Sequence, residues 1–126
     1  MPTNSTFIYD ESFTAGADLR TKQYMPVKFS AANTVNVAGA AEAAIGILLN
    51  DPNTGEAAIV RLLGQSIAWV DGTVAIAAGD PLECDANNRL VKSTTDKRWA
   101  LCRAAEAATG VARISVILTG GWHMGV

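Results

Sequence analysis

A single histidine, His123, bounds the hydrolytic and imidazole-based metal chemistry open to this 126-residue chain. A nucleophile–base–acid triad or a histidine-built metal site needs several groups converging on one atom. Here one imidazole stands in a Gly-rich tail between Trp122 and Met124. Asp71 and Asp80 lie in Asp71-Gly72 and Gly79-Asp80-Pro81, where a carboxylate that accepts from nearby backbone amides is explained without catalysis. A phosphate-cradling loop would end in Gly-Lys-Ser or Gly-Lys-Thr, and no Gly-Lys pair occurs. Cys84 and Cys102 are too few for a disulfide scaffold and lack metal spacing. They are expected as reduced thiols, because no secretory signal is evident and a cytoplasm keeps thiols reduced. The reading is therefore of a protein that is not an enzyme, with no catalytic residues, no cofactor and no metal.

Composition agrees with a rigid, lightly charged body. Hydrophobic residues make up 49% and charged ones 17%, which is too apolar for disorder and enough for one modest core. A net charge of −2 with no basic stripe argues against nucleic acid as a partner. No apolar run approaches the ~18 residues of a membrane helix, so no membrane partner is expected, and synthesis in a cytoplasm is.

These residues must be positioned by β-structure. Ile45 to Leu63 reads as a hairpin whose turn is supplied by Asn50, Asp51, Pro52, Asn53 and Gly55. Its second arm is apolar at Ala58, Val60 and Leu62 on one face and at Ala57, Ile59 and Leu63 on the other. Such a strand requires cover on both sides, from its own barrel or from another subunit. Before it, Val27–Phe29 and Thr34–Val37 read as two short strands, and Ala38–Ala44 as loop or a helical turn between glycines. After it, Ile67–Val70, Asp71-Gly72 and Thr73–Ala78 read as a second hairpin. Leu82–Cys84 and Leu90-Val91 follow as strands around a reversal at Asp85–Asn88. Trp99–Thr109 has helical composition, but the chain from Gly110 echoes the central hairpin: Gly55, Ala57, Ile59 and Leu63 recur as Gly110, Ala112, Ile114 and Leu118. The echo predicts strand there, with Ile114, Val116 and Leu118 facing inward. The fold class expected is all-β: a small β-barrel of short antiparallel strands over residues 17–126, with an extended N-terminal arm over 1–16. Phe7, Ile8, Tyr9 and Phe13 are apolar anchors that a tail without a binding task has no reason to carry.

Ala17-Asp18-Leu19 with Gln23-Tyr24 and Val27-Lys28, Gly46-Ile47-Leu48 with Asn50, Pro52 and Gly55-Glu56, Ala78-Gly79-Asp80-Pro81-Leu82, and Ala100-Leu101 leading to Gly110 resemble the tailed-phage capsid decoration, or cement, proteins. The likeness spans Ala17 to Leu118. It implies a virion protein on the outer surface of a bacteriophage head, made in the bacterial host cytoplasm, that binds the major capsid protein and stabilises the capsid. It further implies a homo-oligomer, a homotrimer by analogy, with Phe7, Ile8, Tyr9 and Phe13 of the arm as capsid-binding residues. Asn87-Asn88-Arg89 departs from the family, which commonly has a glycine turn there.

Two rivals stay open. Thr95-Asp96-Lys97 is similar to the tripeptide that presents the modified lysine of lipoyl domains, although Arg98-Trp99 follows where a small residue is usual. Trp69, Trp99 and Trp122 could stack sugars in a carbohydrate-binding or virion-surface interaction module, or fill core and subunit contacts.

Overall fold

The computed structural model describes residues 8–94 and 99–123. Among these are nine strands and no helix, so the all-β architecture read from the sequence is the one observed. The strands are β1 (Tyr9–Ala15), β2 (Pro26–Ala31), β3 (Thr34–Val37), β4 (Gly46–Leu48), β5 (Ala57–Asp71), β6 (Pro81–Cys84), β7 (Leu90–Lys92), β8 (Trp99–Ala104) and β9 (Val111–His123).

Hydrogen-bonded pairing returns on itself in two circuits that share β5. The first runs β1–β3–β2–β4–β5 and back to β1. The second runs β5–β7–β6–β8–β9 and back to β5. Each circuit contains one parallel junction, β1–β3 at Thr14↔Thr34 and Ala15↔Val35, and β5–β7 at the single pair Val70↔Leu90, the narrowest of the second circuit. The sheet is thus mixed, where the sequence suggested antiparallel pairing throughout. Each circuit encloses its own core. Ala15, Leu19, Val27, Val35, Leu48, Ala58 and Val60 fill the first, and Val70, Leu82, Leu90, Leu101, Ile114, Val116 and Leu118 are among those filling the second. Ile47 of β4, with Ala38 and Ala44 of the preceding loop, packs into the second core and so joins the two.

The central hairpin forms as expected, with Ile47 opposite Arg61 and Leu48 opposite Val60. Its turn is tied by Asn50, whose Nδ2 donates to the Ala57 carbonyl (2.9 Å) and whose Oδ1 accepts from Ile59 N (3.0 Å). Gly55 takes φ +84°, a left-handed conformation that costs other residues. Gly46 lets β4 lie close on β5, since a Cβ there would overlap the Arg61 carbonyl oxygen and come within 2.8 Å of Val60 Cγ1.

The expected hairpin over Ile67–Ala78 does not form. β5 continues unbroken to Asp71, and β9 has already taken its edge from Gly64↔Leu118 to Asp71↔Val111. Residues 73–78 are loop, held by the single bridge Ile76↔Ala108. Asp71 accepts from Thr73 N (3.0 Å) and Thr73 Oγ1 (2.6 Å), so the Asp-Gly pair makes a side-chain turn and not a two-residue hairpin.

Residues 38–45 are also loop. Glu42 accepts from Gly39 N at 2.6 Å and pairs with Lys28, and Ala41 takes φ +60°. Trp99–Ala104 is strand, as the echo indicated. The echo itself is out of phase: Ile59 is exposed on β5 while Ile114 is buried on β9.

Tyr9–Ala15 belong to the first circuit. β1 pairs with β5 from Tyr9↔Leu63 to Thr14↔Ala57 and ends in the core at Ala15, which is 1% exposed. Phe7 and the rest of residues 1–7 lie outside the described residues.

Candidate interaction surface

Alternation along β5 divides its residues between two jobs. Ala58, Val60, Ser66, Ala68 and Val70 point into the cores, so Ile59, Arg61, Leu63, Gln65, Ile67 and Trp69 point out. On β9 the buried set is Ile114, Val116 and Leu118, and the outward set includes Arg113, Ser115 and Ile117. Register places Ile117 opposite Gln65, Ser115 opposite Ile67 and Arg113 opposite Trp69. On the far side of β9, Arg103 of β8 stands opposite Ile117. Four strands, β8–β9–β5–β1, therefore present one outward face.

The polar groups of this face are largely matched within the chain. Arg61 donates from Nε and one Nη to the Asp10 carboxylate (2.8 and 3.1 Å) and from the other Nη to the Gln65 carbonyl (2.9 Å). That hydrogen bonding raises the Arg61 pKa above its ordinary value. The Arg113 guanidinium lies 5.5 Å from the Trp69 ring centre and Arg103 lies 4.9 Å from that of Trp122, both within cation–π range. One face of each ring is thereby occupied, which is unfavourable for sugar stacking. Trp99 is structural: its Nε1 donates to the Ala44 carbonyl (2.9 Å), and Gly121 is the residue that leaves room for its ring.

The anchors named from the sequence are not brought together. Ile8 and Tyr9 are 42% and 45% exposed, and the Tyr9 hydroxyl donates to Glu11 Oε2 (2.7 Å), which raises the phenol pKa. Phe13 instead packs against the first core, edge-on to Phe29 at 5.2 Å. Phe7 lies outside the described residues, as does Lys97. The sequence signal that did find part of this face was the double apolarity of β5. Ile67, Ile117 and the two Arg–Trp pairs escaped it, because only the β5–β9 register juxtaposes them.

The turn carboxylates behave as their contexts suggested. Asp71 is held below the usual carboxylate range by its bonds from Thr73, and Asp80 accepts from Ala77 N (2.8 Å) with Lys92 Nζ at 3.6 Å. Among the described residues, no three His, Cys, Asp or Glu side chains group as metal ligands, and no pocket opens. Cys84 and Cys102 are free and buried. Burial pushes the Cys84 thiol up to about 12 and raises that of Cys102 as well.

No protein-family model matches the chain, and no curated protein does. Among solved structures, the fold is similar to that of the head fiber gp8.5 N base of bacteriophage phi29, with a TM-score of 0.64 and 13% sequence identity, over 90% of this chain and 95% of that one.

Proposed function

We propose that this chain is a structural protein of a phage virion that attaches to the outside of the head and reinforces it, without enzymatic activity. The likeness of its whole fold to a phage head fiber base carries the reading. A β-body whose turn residues Asn50, Asp71, Asp80 and Asp85 bond to nearby backbone suits a task of binding, not turnover. In this reading the partner on the head is the major capsid protein, and the protein acts as a decoration or cement protein, made in the bacterial cytoplasm and carried on the outer capsid surface. It self-associates, as a homotrimer, so that several weak contacts act together on a repeating lattice.

The capsid-binding device is the N-terminal segment, with Phe7, Ile8 and Tyr9 as its anchors and Phe13 fixing its root in the first core. Each apolar anchor contributes about 1.5–3 kcal/mol on full burial, against about 1–2 kcal/mol per residue ordered. One copy binds weakly and an oligomer binds well. Co-sedimentation with undecorated heads tests this. Deleting residues 2–8 should leave a folded body that no longer pellets with heads. A truncated protein that pelleted as the intact one does would move the binding site onto the barrel surface. Failure of the intact protein to pellet with any tailed-phage head would remove the reading.

A further inference from the structure

Asp71-Gly72 is the one Asp-Gly pair in the chain, and no Asn-Gly occurs. It makes no hairpin, yet the fold cannot dispense with its glycine. A Cβ on Gly72 would lie 2.7 Å from the Ala108 carbonyl oxygen and 2.8 Å from Gly110 N, both backbone atoms that cannot turn aside. A residue without a side chain is therefore imposed at this position, and nothing on it shields its own amide nitrogen from the preceding carboxyl. In such a pair an aspartate isomerises readily. The Gly72 nitrogen gives up its proton and bonds to Asp71 Cγ, a Cγ–O bond breaks, and water leaves. The five-membered imide then takes up water at the main-chain carbonyl, so that the chain continues through the former side-chain carboxyl. One water leaves and one returns, so the sequence of steps needs no co-reactant and leaves the mass unchanged.

The fold opposes this closure at each atom it needs. Gly72 N donates to the Gly110 carbonyl (2.8 Å), which engages its proton and fixes its direction. Asp71 Oδ1 accepts from Thr73 N and Thr73 Oγ1. Those bonds keep the carboxyl ionised, a form with no hydroxyl to lose, and turned toward residue 73. Asp71 is also the last residue of β5 and stands opposite Val111, in extended backbone that keeps Cγ away from the next nitrogen. Just beyond, Ile76 and Ala108 exchange two backbone bonds (2.9 and 3.0 Å) that tie down the departing loop.

We infer that Asp71-Gly72 is the site at which this chain ages, by isoaspartate formation, and that β9 and Thr73 hold the reaction off until this end of β5 opens. The inference goes beyond the reading above and does not depend on head attachment. Its consequence runs one way. An isoaspartate adds a methylene to the main chain and moves the carboxylate to a shorter branch. The fixed spacing of the ladder at Asp71↔Val111 and the bonds from Thr73 then cannot both re-form. A brief opening of the strand end is converted into a lasting defect at the rim of the second circuit.

The test is the rate at which isoaspartate accumulates in the full chain at neutral pH, native and in concentrated urea. Labelling with an isoaspartyl methyltransferase counts it, and electron-transfer fragmentation of the peptide spanning residues 71 and 72 locates it. In urea the signal should arise chiefly at Asp71, and Asp71→Glu, which would have to close a six-membered ring, should remove it. The native protein should accumulate isoaspartate at least ~100-fold more slowly than the unfolded chain, the protection given by a paired strand end that must open first. Thr73→Val keeps the backbone donor and loses the hydroxyl, so its native rate should rise about 10-fold while its rate in urea stays that of the parent. Because each variant is compared with itself in urea, and its fold is checked by circular dichroism, a general loss of structure is told apart from loss of this bond. A native rate within ~10-fold of the urea rate, isoaspartate arising chiefly at another aspartate, or a native rate unmoved in folded Thr73→Val overturns the inference.

Discussion

Replacing Gly46 by Ala tests whether the junction of the two circuits is as tight as the geometry states. The added methyl would overlap the Arg61 carbonyl oxygen, sit 2.8 Å from Val60 Cγ1 and 3.0 Å from the Arg61 carbonyl carbon. Two of those atoms are backbone of β5, which cannot rotate away as a side chain tip can. β4 is buried along its whole length, so relief requires moving β4 off β5 at Ile47↔Arg61. Overpacking of this kind costs about 1–3 kcal/mol, offset by about 0.4–1 kcal/mol from the stiffer unfolded chain. A net loss of roughly 0–2.6 kcal/mol follows from these principles, and contact with backbone atoms that cannot turn away keeps it above roughly 0.5 kcal/mol. For a chain of this size each kcal/mol lowers the melting temperature by about 3–5 °C. The expected loss is thus roughly 2–12 °C by thermal circular dichroism, in the upper half because the clash is with backbone. Gly110→Ala is the internal control: nothing lies within 4 Å of its Cβ position and its φ is not left-handed. It should melt at or slightly above the parent temperature. A Gly46→Ala protein that melted with the control would refute the close approach of β4 to β5.

Three further outcomes follow from particular residues. Deleting residues 2–16, in contrast to 2–8, should lower the melting temperature sharply or abolish folding in thermal denaturation, because it strips β1 from β5 and uncovers Val35, Ala58 and Val60. Both thiols should resist a disulfide-exchange reagent in native buffer and react together only on unfolding. Because the folded pKa of Cys84, about 12, lies above its ordinary 9.0, the unfolded chain ionises first, so stability should hold below pH 9 and fall between pH 9 and 12 in alkaline urea titrations. Asn88→Ala should cost about 1–2 kcal/mol in urea melts from its left-handed φ of +63°, whereas Asn88→Gly should lose less, forfeiting only the bond from Nδ2 to the Ala38 carbonyl.

Much of the fold was legible because it is written in local chemistry. Asn50 to Gly55 named a turn, Gly79-Asp80-Pro81 another, and Ile114, Val116 and Leu118 announced their buried face by alternation. At Asn87-Asn88-Arg89 the chain reverses without a glycine. Asn88 adopts the left-handed conformation that glycine would, and Asp85 Oδ1 accepts from Asn87 N and Arg89 N (2.8 and 2.9 Å). What was illegible is non-local. The Asp71-Gly72 pair has the composition of a hairpin turn, but whether Thr73–Ala78 returns along β5 depends on whether that edge is free, and β9, forty residues onward, had claimed it. The outward face has the same origin: Ile67 and Ile117 become neighbours only through a register that no window of sequence contains. Phe13 read as an anchor by type, and only its position opposite Ala58 turns it toward the core instead.

The sharing of β5 has a mechanical consequence. β1 grips one half of this strand and β9 the other, along one edge, with β4 and β7 on the opposite edge. Tension applied to the first circuit and resisted at the second is borne by a single continuous backbone. The ladder bonds lie perpendicular to that backbone, so a pull along β5 loads them in shear, many at once, and cannot peel them one by one. The strand acts as a tie rod between two collars, and the molecule should be stiffest along β5 and weakest when pulled across it, at the single-pair junction Val70↔Leu90.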